Sequence, residues 1–93
     1  MLSTPEVQKS LKSVAKTGNW FVTKHAQERM LQRGFTAPDI ERALRSGVHC
    51  PALDELKDSV WRYRILSRLA CGREIQLAVI IEDAVVVVTV IGK

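Results

Sequence analysis

Aromatic residues are scarce in this chain: Trp20, Phe21, Phe35, Trp61 and Tyr63 are the whole set among 93 residues. That excludes a broad platform of stacked rings for nucleic-acid bases and leaves the core to Val, Ile, Leu and Ala. Cysteine is equally sparse. Cys50 and Cys71 form no C-x-x-C pair and stand at no metal-ligand spacing from His25 or His49, so a zinc site has no support, no cofactor is expected, and two buried or half-buried thiols remain. Long apolar runs are missing too. Leu77 to Ile81 and Ala84 to Ile91 are separated by Glu82-Asp83 and fall short of the roughly 20 residues of a membrane helix. The N-terminus shows no charged-then-apolar leader with a small-residue cleavage site, so the expectation is a cytoplasmic chain that does not enter the membrane.

What is present is the composition of a packed domain, 46% hydrophobic and 26% charged with three Pro and five Gly. A chain of this length has room for one core, which predicts a single domain over residues 1–93. Thr4-Pro5-Glu6 is a helix start, and Val7, Leu11, Val14 and Ala15 give that helix one narrow apolar stripe before Thr17-Gly18-Asn19. Residues 1–19 read as an N-terminal helical extension. Trp20-Phe21-Val22 is a short apolar segment, and Thr23 caps a second helix from Lys24 to Arg33 that stops at Gly34. Thr36-Ala37-Pro38-Asp39 starts a third, closed by Gly47 after Ser46. The stretch from Val48 to Ser59 reads as a loop with room for a short strand or a helical turn.

From Val60 the period changes to two. Trp61, Tyr63 and Ile65 alternate with Arg62, Arg64 and Leu66, Glu74 to Ile81 follows the turn at Cys71-Gly72, and Val85 to Ile91 follows Glu82-Asp83. The fold class is therefore α+β, with the helices packed on one face of an antiparallel three- to four-stranded meander.

Fourteen Lys and Arg against ten Asp and Glu leave a net charge of +4, concentrated in mid-chain arginines and suited to a polyanionic partner. On the second helix His25, Arg29 and Arg33 are each four apart and share one stripe, where two guanidinium groups repel unless Glu28 or an external anion offsets them. On the strands Arg62 and Arg64 share a face, and if Ala70-Cys71-Gly72 is a three-residue hairpin loop that face also carries Arg68, Glu74 and Gln76. A two-residue loop at Glu82-Asp83 would set Gln76 opposite Thr89, the one polar residue between Ala84 and Ile91. Taken singly, each Arg reads as a solvated charge and Thr89 as a β-propensity residue. Taken together in one cleft, they offer a proton carrier beside groups that stabilise a charged phosphate, the parts of metal-free RNA cleavage. A second acid–base group would come from Glu28, Tyr63, His49 or water.

Thr23-Lys24-His25-Ala26, Arg29-Met30, Arg33-Gly34, Asp39-Ile40-Glu41, Gly47, Tyr63-Arg64, Gly72-Arg73 and Val87-Val88-Thr89-Val90 resemble the bacterial domain-of-unknown-function family 4258, from about Phe21 to Val90. The resemblance implies an α+β fold similar to the toxin ribonucleases of the RelE, barnase, EndoU and colicin type, with helices on a four-stranded antiparallel sheet. The fourth strand would come from Phe21 or from the Val48 loop. It also implies His25, Arg29 and Thr89 as active-site groups, with Arg33 and Arg64 at the phosphate.

The leading expectation is a metal-independent endoribonuclease of the bacterial toxin type, cleaving RNA by 2′-hydroxyl attack on the adjacent phosphate. His25, Arg29 and Thr89 would be catalytic, and Arg33, Arg62, Arg64 and Gln76 would bind substrate. An antitoxin with an acidic segment would cover the basic cleft. The alternative is a non-catalytic RNA- or protein-binding regulator using the same face. A third expectation is a homodimer through the final Val-rich strand, provided that strand lies at a sheet edge.

Overall fold

The computed structural model describes residues 1–92. Ser3 caps α1 (Thr4–Thr17): its hydroxyl accepts from the Glu6 amide while the Glu6 carboxylate accepts from the Ser3 amide. The cap thus lies one residue before the expected Thr4, which Pro5 follows in the first turn and whose hydroxyl has another use described below. Gly18 ends the helix in the left-handed conformation at φ 79°. β1 (Trp20–Val22) leads through the Thr23 cap into α2 (Lys24–Arg33), closed by left-handed Gly34, and α3 (Ala37–Ser46) follows. At the start of α3 the Asp39 carboxylate accepts from the Thr36 amide and hydroxyl.

The segment read as a loop holds β2 (Val48–His49), a single 3-10 turn at Pro51–Leu53 and β3 (Glu55–Lys57). β4 (Val60–Arg68), β5 (Glu74–Ile81) and β6 (Val85–Gly92) form the expected meander. The sheet is larger than expected, six strands among the described residues in the order β1-β6-β5-β4-β2, with β3 also on β4. Both proposed sources of an added strand contribute. β1 joins β6 in parallel, so the sheet is mixed rather than antiparallel throughout. Three residues cannot announce a strand by periodicity, and their partner lies some sixty positions away.

β6 is flanked by β5 and, over Val85 to Val87, by β1. The Val-rich strand considered for pairing with a second copy is therefore an inner strand; the edges are β1 and the β2–β3 segment.

All three helices contribute to one core on one face of the sheet. Val7, Leu11 and Val14 of α1, Ala26 of α2, and Ile40, Ala43 and Leu44 of α3 meet Tyr63, Ile65, Ile75, Leu77, Val79, Val85, Val87 and Val90. Val7 and Leu11 are fully buried, each such side chain stabilising the fold by about 1.5–3 kcal/mol. α1 is thus part of the common core. Gly47 lets α3 close onto β4, since a Cβ there would press on the Ala43 carbonyl and come within 2.6 Å of Ile65 Cγ2. Cys50 is half-buried, while Cys71 stands exposed in the β4–β5 turn, where no packing demands a buried thiol. No helix among the described residues is long and apolar enough to cross a membrane.

Candidate functional site

Strand alternation sorts the sheet into two faces. Tyr63, Ile65, Leu77, Val79 and Val87 turn toward the helices, so Arg62, Arg64, Gln76, Ala78 and Thr89 turn the other way, onto a face that no helix covers. The Ala70-Cys71-Gly72 loop holds the β4–β5 register, with Leu69 N donating to Arg73 O and Arg68 opposite Glu74. Those two side chains form an exposed ion pair at 2.9 Å.

The next register differs from the expected one. Ile81 pairs with Val85, leaving three loop residues, and a bulge between Ala78 and Val79 adds one more residue on β6. Thr89 therefore lies opposite Ala78, and Gln76 opposite Ile91. Gln76 and Thr89 still share the helix-free face, as diagonal neighbours. Because Arg64 also pairs with Ala78, a row Arg64–Ala78–Thr89 crosses three strands with a methyl group at its centre. Arg64 Nη1 donates to Gln76 Oε1 at 3.2 Å, so two of the predicted binding residues touch.

α2 borders this face. Thr23 N donates to Val87 O at one end; at the other, Phe35 packs against Gly92 and Arg73 Nη2 donates to Arg33 O at 2.7 Å. The helix thus runs alongside β6 in the same direction. Ala26 is turned into the core, Arg29 is half-buried, and His25 and Arg33 are exposed. The side chains of His25, Arg29, Arg33 and Arg62 have no hydrogen-bond or ion-pair partner among the described residues. Arg62 Nε is in addition buried without a partner, a costly arrangement for a donor.

A cavity of about 320 Å³ opens where this face meets the β2 edge, bounded by Val48, Leu66, Arg68, Glu74 and Gln76 among others. A larger one, about 530 Å³, lies between α1 and the β5–β6 turn and contains none of the predicted residues. Among the described residues no cluster of three or more His, Cys, Asp or Glu side chains could hold a metal ion.

On the opposite side of β4 is a constellation that the sequence reading passed over. His49 Nε2 lies 2.8 Å from Asp54 Oδ2, and its Nδ1 lies 2.9 Å from Thr4 Oγ1. The His49 amide donates to Gln8 Oε1, and Asp54 Oδ1 accepts from the Arg64 amide at 2.9 Å. Tyr63 stacks edge-on against the imidazole at 5.6 Å between centroids, and its hydroxyl accepts from the Leu2 amide. The pair has 1% side-chain exposure on each partner, which makes it a structural tie and keeps substrate away. His49 and Tyr63 are thereby withdrawn from the proton-transfer roles considered for them. Their only sequence signal was a His five residues before an Asp across Pro51, too common a spacing to stand out.

The sequence pattern of the family described as Domain of unknown function (DUF4258) matches residues 22–91, and the chain belongs to that family. The match starts at the end of β1 and leaves α1 outside. No curated protein and no solved structure matches the chain.

Proposed function

We propose that the helix-free face of the sheet binds RNA, with Arg62, Arg64, Arg29 and Arg33 on phosphates and Gln76 and Thr89 on ribose or base groups. The row Arg64–Ala78–Thr89 carries the reading. It sets the backbones of an arginine and a threonine two strands apart, about 10 Å, on either side of the smallest side chain of the face. A phosphate held between them meets a charge-assisted donor and a hydroxyl at once. The unpaired guanidinium groups on β4 and α2 support an anionic ligand over a self-contained charge network.

Binding of this kind weakens steeply with salt, because each neutralised phosphate releases counterions. The test is fluorescence anisotropy of a labelled RNA between 50 and 200 mM salt, conditions that resolve the slope. Arg64→Ala should lower affinity and reduce the slope by roughly 0.7, the share of one phosphate on a single strand. Salt-independent binding, or an Arg64→Ala variant indistinguishable from wild type, contradicts the reading.

A second reading, RNA cleavage by a ribonuclease of the toxin type, is favoured by the place of His25. A right-handed helix that runs alongside β6 with Ala26 turned inward carries the His25–Arg29 side toward the helix-free face. His25 would accept the ribose 2′-hydroxyl proton and the freed oxygen would attack the adjacent phosphorus. The 5′-oxygen would then leave with a proton from water, giving a 2′,3′-cyclic phosphate. Arg29 and Thr89 would stabilise the phosphorane. The same basic face suits an acidic segment of an inhibitor protein, which would compete with RNA. Incubation with RNA in EDTA decides on cleavage: wild type should yield cyclic-phosphate ends and a His25→Ala, Arg29→Ala double variant should not. Intact RNA with both proteins leaves binding as the function.

A further inference from the structure

We infer that Phe21 is a base-stacking contact, and that the face accordingly takes single-stranded RNA with an unpaired base rather than a duplex. The inference rests on the RNA-binding reading above and adds to it the class of RNA and a residue at the far edge of the sheet.

Phe21 is the middle residue of β1 and is 59% exposed, whereas Trp20 and Val22 on either side pack against the core. Alternation therefore puts its ring on the helix-free face, where it pairs with Val86, and Val86 in turn with Ile80. A ring beside two aliphatic side chains gives this edge an apolar floor, while Thr89 and Arg64 occupy the neighbouring row. The backbone beneath it is held from both ends: Val85 N donates to Asn19 O, Asn19 Nδ2 to Asp83 O and Thr23 N to Val87 O. A ring presented on a fixed strand loses little entropy on binding.

Every other aromatic residue is committed elsewhere. Phe35 and Tyr63 are buried, Trp20 and Trp61 pack against the core, and Arg73 stacks on Phe35 at 4.4 Å. The face thus has one free ring, enough for one base and too little for a platform. A duplex keeps its base faces stacked inside and offers phosphate, ribose and base edges, none of which a phenyl ring can stack on; an unpaired base has a free π-face.

The test is anisotropy with three labelled probes of equal length: a single-stranded RNA, its duplex, and an abasic ribose-phosphate strand. Wild type should bind the single strand tightest. Phe21→Ala and Phe21→Leu should both weaken that binding roughly tenfold, within the range for losing one base–aromatic contact, and leave the duplex, the abasic strand and the salt slope unchanged. Phe21→Trp should restore affinity, and its fluorescence should fall on binding. If Phe21→Leu binds the single strand as wild type does while Arg64→Ala still weakens it, the stacking assignment is overturned and RNA binding stands. If Phe21→Ala leaves RNA affinity intact but reduces self-association in light scattering, the ring belongs to a protein interface and the assignment is likewise overturned. No binding of any probe by wild type overturns both.

Discussion

His49 and Asp54 are bonded at 2.8 Å across a break in the edge of the sheet. β2 pairs with β4 at Ile65 and Leu66, β3 pairs with it from Val60 to Arg62, and the 3-10 turn interrupts the ladder between them. Asp54 fills the gap. Its Oδ1 accepts from the Arg64 amide where a strand carbonyl would otherwise do so, and the Cys50 amide donates to the Arg64 carbonyl. The buried pair thus fixes the backbone of Arg64 from one side of β4 while the guanidinium lies on the other, bonded to Gln76.

Removing this carboxylate should be costly. Asp54→Ala leaves His49 Nε2 and the Arg64 amide buried without partners, and a loss of about 3–5 kcal/mol is expected, the range for breaking a buried pair from one side. Urea unfolding measures it. Asp54→Asn retains an acceptor for the Arg64 amide and should lose less, and it should keep more of the RNA affinity than Asp54→Ala does.

The cap of α1 introduces a pH dependence. The Glu6 carboxyl is held below its ordinary value by the hydrogen bond from the Ser3 amide first and the Ser3 hydroxyl second. The unfolded chain therefore takes up this proton at a higher pH than the folded one, so stability from the cap rises with pH. It is present above the ordinary carboxyl range and lost as pH falls through the lowered value. The stability difference between wild type and Glu6→Ala, followed by urea unfolding from neutral to acid pH, should shrink toward zero in acid. A difference that grows on acidification contradicts the sign.

The hairpin between β3 and β4 turns at Asp58 and Ser59, which adopt φ values of 52° and 64°. Two successive left-handed residues are the signature of a type I′ turn, which strongly favours Gly at the second place. Ser59→Gly should stabilise the protein by about 0.5–1 kcal/mol, seen as a higher midpoint in thermal unfolding. Ser59 is exposed in the turn.

Where local chemistry decides, the sequence was readable. Thr23 and Gly34 bound α2, Gly47 ends α3, and the alternation from Val60 gives β4 with Arg62 and Arg64 on one face. What escaped depends on distant partners. β1 is a strand only because β6 supplies the matching edge, and the break at Pro51 is bridged by a carboxylate whose partner, Arg64, is ten residues on. The Gln76–Thr89 pairing failed by two positions because a longer loop and a bulge each added one residue, and nothing in the Val85–Val88 run marks a bulge. Phe21 read as part of an apolar run until alternation separated it from Trp20 and Val22.

Backbone amide shifts on titrating single-stranded RNA into ¹⁵N-labelled protein test the central claim most directly. The helix-free face predicts perturbations at Phe21, His25, Arg29, Arg62, Arg64, Gln76 and Thr89, with α1 and the exposed side of α3 unmoved. Shifts confined to α1 and α3, or none at an RNA concentration that saturates the anisotropy signal, would contradict it.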